Sequence, residues 1–361
     1  MKKPPEAIQK YFDTLHGILG IYLTNKCNVT CRHCCVNSGP QEDGKLELDH
    51  LVPTIVAGAR AGIIKGLHIS GGEPFIYLSD VRVLLGHAKE LEILAGVNTN
   101  VSWAKSRDRA ETLLRSLPGL TQLLISTDTY HEDFIPLANV RHAVEAGLSL
   151  GLVVQIAVCT PGGRETDFVA RLRDCLGERL SGQVDIGLNA VEPVGRGRDL
   201  EEAHWRKVSR QFPTGRCSQV NRPIILQGGD LFACCNSCVS ETCRSSPLNL
   251  GNLHYETVAE NFEKADKSHI LQAIRALGPA FLGNALVEAG LGQELAGEYG
   301  EGDICGLCSD IMSKPSLTKA LATILSRREH QQAIAIARAA VFGETSMLRD
   351  LMATRQAGET G

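Results

Sequence analysis

Between residues 20 and 210, short runs rich in leucine and β-branched residues alternate with longer amphipathic stretches, and the alternation repeats six times. The strand candidates are residues 20–23, 66–70, 94–97, 122–126, 152–158 and 184–191, with helical patterns over 48–61, 79–90 and 134–148 between them. Such βα repeats are satisfied by a parallel sheet with helices over it, so the pattern predicts an α/β fold, a partial (β/α)6 barrel. Past residue 210 the alternation stops. Cysteines, glycines and polar turns dominate to about residue 255, and the reading is helical from 258 onward. Over 316–342, Leu317, Leu321, Ile324, Ile334 and Val341 mark one apolar face, and 357–361 reads as a disordered tail. No internal repeat or low-complexity segment interrupts the pattern.

Thirteen cysteines in 361 residues need a chemical reason. The N-terminus lacks a signal-peptide apolar stretch and no run is long enough to cross a bilayer, so the expected location is cytoplasmic, without a membrane partner. In that compartment cysteines serve metals or reactive thiols rather than disulfides. The net charge of −4 gives no basic footprint, which sets nucleic acid aside as a partner.

Directly after the first predicted strand, Cys27, Cys31 and Cys34 form a Cys-x3-Cys-x2-Cys loop. Three thiolates can hold three corners of a cubane cluster and leave the fourth iron open, as a catalytic metal requires. The bland alternatives are a zinc site completed by His33, which sits awkwardly between two of the ligands, or a chance grouping. One βα unit later comes Ser70-Gly71-Gly72-Glu73-Pro74, where glycines permit close backbone approach and a carboxylate suits an ammonium. Further polar groups follow the later strands: Asn98-Thr99-Asn100, Ser126-Thr127-Asp128, Thr160, and Glu192-Pro193-Val194-Gly195-Arg196. Each has an ordinary reading as a cap or turn, but all fall at the carboxyl ends of strands, where barrel chemistry gathers.

Taken together, the cysteine loop and the Gly-Gly-Glu-Pro turn resemble the signature of the radical S-adenosylmethionine superfamily over residues 20–200. The resemblance implies S-adenosylmethionine as cofactor and a [4Fe-4S] cluster on Cys27, Cys31 and Cys34. It implies cofactor contacts from Gly71, Gly72, Glu73, Pro74, Asn100, Ser126 and Asp128, with the turn receiving the methionine amino group and Asp128 facing its carboxylate and ribose region. The chemistry implied is reductive cleavage to a 5′-deoxyadenosyl radical and hydrogen abstraction, with a reductant such as flavodoxin or ferredoxin. No catalytic side chain is named by it, since the hard chemistry belongs to the cofactor. The chain departs from the family pattern at Cys35, where an aromatic residue is usual, and at Val101, where glycine is usual.

Cys217, Gly229, Cys234, Cys305 and Cys308 resemble the twitch subdomain, a shorter relative of the SPASM domain. That resemblance implies one auxiliary [4Fe-4S] cluster on Cys217, Cys234, Cys305 and Cys308, with Cys235 as alternative to Cys234 and a four-cysteine zinc site as the competing reading. Residues 224–233 read as a β-hairpin turning at Gly228-Gly229 and bringing Cys217 near Cys234, and Gly251-Asn252 as a turn. Of the remaining cysteines, Cys159 and Cys175 read as small buried apolar residues. Cys35 is the departure already noted, and Cys235, Cys238 and Cys243 lie beside the auxiliary set. The expected domains are an N-terminal segment 1–19, a core 20–210, an auxiliary domain 211–312 and a helical extension 313–361. The expected substrate is a ribosomally made peptide to be crosslinked, epimerised or oxidised, although no leader-binding domain precedes residue 20. The alternatives are a small-molecule dehydrogenase of the aminocyclitol type and a non-catalytic zinc scaffold.

Overall fold

A computed structural model describes residues 17–201, 207–234 and 243–359, with side chains described throughout except at Asn221 and 353–359. The chain forms two compact units. The first comprises residues up to Arg206 together with Ile224–Asp230 and Asn252–Val258; the second comprises Lys207–Pro223, Leu231–Gly251 and Ala259–Gly361.

All six predicted strands form: β1 (Ile18–Tyr22), β2 (Gly66–Ser70), β3 (Leu94–Thr99), β4 (Gln122–Ser126), β5 (Val153–Thr160) and β6 (Asp185–Ala190). They pair in chain order and in parallel, with Ile21 opposite Ile69, Ile69 opposite Val97 and Val97 opposite Leu123. Ile21, Leu67, Ile69, Val97, Leu123, Ile125 and Ile156 are buried, as expected where helices cover a parallel sheet.

The helices of this unit are α1 (Leu48–Arg60), α2 (Leu78–Glu90), α3 (Arg107–Arg115), α4 (Thr129–Glu132), α5 (Leu137–Ser149) and α6 (Asp167–Ser181). Each of the longer ones buries one stripe, for example Val81, Leu84, Leu85 and Ala88 of α2. The pattern over 134–148 starts late, at Leu137. Pro136 is extended (ψ 143°), and the residue before a proline is sterically kept from helical geometry. The architecture is the expected partial α/β barrel, and its loops after β1, β2, β3, β4 and β6 carry the polar motifs.

Short strands β7 (Val208–Ser209), β8 (Ile224–Ile225), β9 (Asp230–Phe232), β10 (Asn249–Asn252) and β11 (Tyr299–Gly300) follow. The chain reverses between β8 and β9 at Gly228 and Gly229, whose φ values of 84° and 83° are open to glycine at no steric cost. The Gly-Asn pair expected as a turn instead ends β10, because Gly251 at φ 138° continues the strand and the turn comes at residues 253–255.

The second unit is mainly helical: α7 (Val258–Lys267), α8 (His269–Ala276), α9 (Pro279–Glu288), α10 (Ile304–Met312), α11 (Pro315–Ile324), α12 (Arg328–Phe342) and α13 (Ser346–Glu359). The apolar face read over 316–342 is split between α11 and α12. Leu317, Leu321, Ile324 and Ile334 are buried, while Val341, in the last turn of α12, is exposed. The tail is also corrected, since α13 continues to Glu359; Thr360 and Gly361 lie outside the described residues. Among the described residues no single helix is long and apolar enough to cross a membrane.

Candidate active site

The loop after β1 has little regular structure and is closed on itself instead. Bridges pair Thr24 with Lys45 and Lys26 with Gly39, and the Cys27 amide donates to the Gly39 carbonyl at 3.0 Å. Cys27 and Cys31 are buried and Cys34 is half-buried; all three are free thiols. Burial pushes the Cys27 thiol up to about 11, and Glu73, Cys31 and Cys34 nearby push it the same way. Such a group of thiols ionises when a cation is placed among them, so the donor set fits iron.

Gly71 and Gly72 press the loop after β2 against this one. The Gly72 amide donates to the Thr24 carbonyl at 2.6 Å, and the Glu73 amide to the Lys26 carbonyl at 2.9 Å. A Cβ on Gly72 would lie 2.2 Å from the Lys26 carbonyl oxygen, so the second glycine is required by close approach. Pro74 is buried and opens a short 3-10 turn.

The Glu73 carboxylate, 2% exposed, accepts from the Phe75 amide (3.0 Å), the Thr99 hydroxyl (2.9 Å) and the Asn100 amide (2.8 Å). It ties the end of β2 to the end of β3. Burial raises it to about 7 against the pull of those three donors. Asn100 is buried beside Cys27, and Ser126 donates to the Asn98 side chain at 2.9 Å.

Asp128, at the end of β4 and 1% exposed, has both oxygens engaged. Oδ1 accepts from the Tyr130 and His131 amides, each at 3.0 Å, and lies 2.9 Å from His131 Nδ1. Oδ2 lies 3.2 Å from His33 Nε2 and accepts from the Cys159 amide at 3.4 Å. Burial alone would raise this carboxyl, but His131 and His33 hold it well below the ordinary carboxylate range. Burial likewise disfavours the His131 cation, yet its bonds to Asp128 and Cys31 raise it to about 10. His33 stacks on Tyr130 at a ring separation of 4.5 Å. It faces Asp128 and thereby gains a role other than the fourth zinc ligand.

Arg196, after β6, clasps the cysteine loop from another side. Its Nε donates to the Cys31 carbonyl (2.9 Å), its Nη2 to the Ser38 carbonyl (2.7 Å) and its amide to the Cys34 carbonyl (3.0 Å). Gly195, at φ 56°, lets this turn reach the carbonyls of Cys34 and Cys35. Sequence reasoning did not assign Arg196 or His131 a task. The available signal for His131 was its spacing three residues after Asp128, one helical turn away. Thr160 turns inward to bond the Arg164 carbonyl at 2.8 Å. Cys159 and Cys175 are only half-buried, and Cys159 packs on the Cys27, Cys31 and Tyr130 cluster, because β5 ends against the cysteine loop.

In the second unit, α10 presents Cys305 and Cys308 three residues apart, with Asp303 capping its first turn at the Gly306 amide (2.7 Å). Burial raises the Cys308 thiol well above its ordinary value, followed by the proximity of Cys234, Cys217, Cys305 and Cys243. The four cysteines picked out by spacing therefore come together, and Cys243 joins them. Cys235 and Cys238 lie outside the described residues.

The family model of the radical SAM superfamily matches residues 21–150, the span holding the cysteine loop, Gly71–Pro74, Asn100 and Asp128. The chain belongs to the radical SAM superfamily. This radical SAM protein is 21% identical over 301 residues to the putative peptide biosynthesis protein YydG of Bacillus subtilis, covering 82% of this chain and 92% of the relative. It is 30% identical to GTP 3′,8-cyclase of Limosilactobacillus fermentum, covering 60% of this chain and 67% of the cyclase. It spans 58% of a Listeria monocytogenes GTP 3′,8-cyclase, also at 30% identity. A solved structure of Streptococcus suis SuiB bound to S-adenosylmethionine matches at a TM-score of 0.44 and 14% identity, covering 83% of this chain and 80% of that one. Family membership makes the radical SAM protein an enzyme and implies S-adenosylmethionine and a [4Fe-4S] cluster, which removes the non-catalytic zinc scaffold from consideration.

Proposed function

We propose that Cys27, Cys31 and Cys34 hold the [4Fe-4S] cluster with one iron open to S-adenosylmethionine, and that the enzyme modifies a ribosomally made peptide. The observation that carries the first half is the closed loop of three free thiols at the strand ends, clasped by the turns after β2 and β6. The second half is supported by the similarity to YydG, a putative peptide biosynthesis protein, over 92% of its length. When bound, cluster and S-adenosylmethionine supply one-electron reduction and hydrogen-atom abstraction. The chain's own groups hold the loop, exclude water through Val29, Tyr130, Ile135 and Val191, and orient the sulfurs. Gly71, Gly72 and Pro74 shape the turn assigned to the methionine end, and Ser126 lies beyond it at the end of β4. Cys217, Cys234, Cys305 and Cys308 are assigned an auxiliary [4Fe-4S] cluster, with Cys243 beside them as a fifth thiol. A small-molecule substrate is the second reading, favoured by the 30% identity to GTP 3′,8-cyclases.

The test is anaerobic incubation of iron-loaded protein with S-adenosylmethionine and dithionite, with 5′-deoxyadenosine measured by mass. Wild type should form it and the Cys27→Ala/Cys31→Ala/Cys34→Ala variant should not; equal yields would refute the ligand assignment. Raised turnover with short peptides encoded beside the gene, and none with nucleotides, is expected; the reverse overturns the peptide reading.

A further inference from the structure

Asn100 sits at the end of β3 with 5% of its surface exposed, and its side chain has a fixed sense. Its Oδ1 accepts from the Ser102 amide at 3.1 Å, which only the oxygen of a carboxamide can do. The NH2 group therefore faces the cysteine loop. One of its hydrogens serves Asn28 Oδ1 at 2.9 Å, and the nitrogen lies 3.8 Å from Cys27 Sγ, within reach of an N–H···S bond from the other.

The backbone around Asn100 is held with equal care. Its amide is bonded to Glu73, and the next residue, Val101, is wholly buried at φ 54°, a conformation a β-branched residue adopts only when its surroundings impose it. Those surroundings are visible: the Val101 amide donates to Thr99 Oγ1 at 3.2 Å and its carbonyl accepts from Asn139 Nδ2 at 3.2 Å.

We propose that Asn100 is a positioning residue for the cluster, whose amide donates to the Cys27 sulfur and raises the cluster's reduction potential. The inference rests on the reading of Cys27 as a ligand. A neutral donor at a cluster thiolate stabilises the state with more negative charge, which is the reduced one, and does so more strongly in a site shielded from water. Because the donor carries no titratable proton, its effect is independent of pH.

The experiment is an anaerobic redox titration followed by the EPR signal of the reduced cluster, on protein with the auxiliary cysteines Cys305 and Cys308 replaced by alanine. N100A should shift the reduced-to-oxidised ratio at a given poise about tenfold toward the oxidised form, or ~59 mV for one electron. Iron content and near-UV dichroism should stay as in the parent. An unchanged potential with full iron overturns the proposal. Should N100A fail to fold, 15N-asparagine labelling of the N28D protein, which keeps the acceptor at residue 28, supplies a second readout: pulsed EPR should detect a 15N coupling, and its absence overturns the proposal. A Cys27→Ala protein that keeps this cluster would instead overturn the ligand assignment itself.

Discussion

Replacing Gly72 by alanine tests the idea that the second glycine of the turn exists for the approach of two backbones. The added Cβ would lie 2.2 Å from the Lys26 carbonyl oxygen, 2.7 Å from its carbon and 2.9 Å from the Asn25 oxygen. All three are main-chain atoms one or two residues from Cys27, so no side chain can swing aside. Relief requires the turns to separate by roughly 1 Å to reach ordinary contact distances. That opening stretches the Gly72 to Thr24 and Glu73 to Lys26 bonds, each worth about 1 kcal/mol net, on top of an overpacking cost of about 1–3 kcal/mol. The expected loss is therefore about 3–5 kcal/mol, a large share of the stability of an ordinary domain. Chemical denaturation measures it, and release of iron from Cys27, Cys31 and Cys34 to a chelator should accelerate with it. Gly86, inside α2, is the control: a Cβ there meets nothing within 4 Å, so Gly86→Ala should stabilise by about 0.5–1 kcal/mol. A G72A protein as stable as wild type and as slow to lose iron would refute the close-approach argument.

Three further outcomes are expected. Because burial raises Glu73 to about 7, its folded form holds the proton more tightly than the unfolded chain does; the carboxyl should lower stability progressively from about pH 4.5 to 7, by about 3 kcal/mol. Denaturation across that window in wild type and E73Q measures the difference, and parallel curves would contradict it. Arg196→Ala removes a charged clasp from the carbonyls of Cys31 and Ser38, worth about 2–4 kcal/mol, so chelator-driven iron loss should speed up at least tenfold, with Arg196→Lys restoring part of it. In the second unit, Glu344→Ala strands the guanidinium of Arg275, 1% exposed and stacked 4.3 Å over Phe342, together with that of Arg338, and should cost about 3–5 kcal/mol; Arg275→Met and Arg338→Met combined with Glu344→Leu should cost far less.

The barrel strands were legible because short apolar runs recur between longer amphipathic stretches; β1 to β5 bury part of each run, while β6, last in the row, alternates exposed and half-buried positions and was read from the repeat rather than from burial. Gly66–Ser70 and Gln122–Ser126 appear at the predicted bounds; β3 differs by two residues at one end, and β1, β5 and β6 by one or two at both. The break between α11 and α12 was not legible, since no glycine or proline marks residues 325–327. It is made locally, by the Arg327 amide closing on the Ile324 carbonyl and the Ser326 hydroxyl on Thr323. In the site, residue types were readable and partners were not. Glu73 and Asp128 read as carboxylates facing a ligand, because a carboxylate at a strand end looks the same whether or not its oxygens are taken. Backbone donors decide that, and their placement depends on torsions such as Val101 φ 54°, which no residue pattern announces.

What the neighbours of the cysteine loop share is the sense of their hydrogen bonds. The turn after β2 offers amides, the end of β3 offers a carboxamide, and the turn after β6 offers a guanidinium and an amide, each to a carbonyl or sulfur of residues 24–38. A loop without helix or strand must find partners for its carbonyls elsewhere, or lose the cost of burying them. One of these donors, the Asn100 carboxamide, also reaches the Cys27 sulfur, where the proposed iron-bound thiolate would carry negative charge. The arrangement thus fixes the main chain that carries the three cysteines, so that Gly72, Asn100 and Arg196 turn their spacing into a geometry. A chain keeping Cys27, Cys31 and Cys34 but substituted at those three positions should bind iron weakly and hold it at a lower potential.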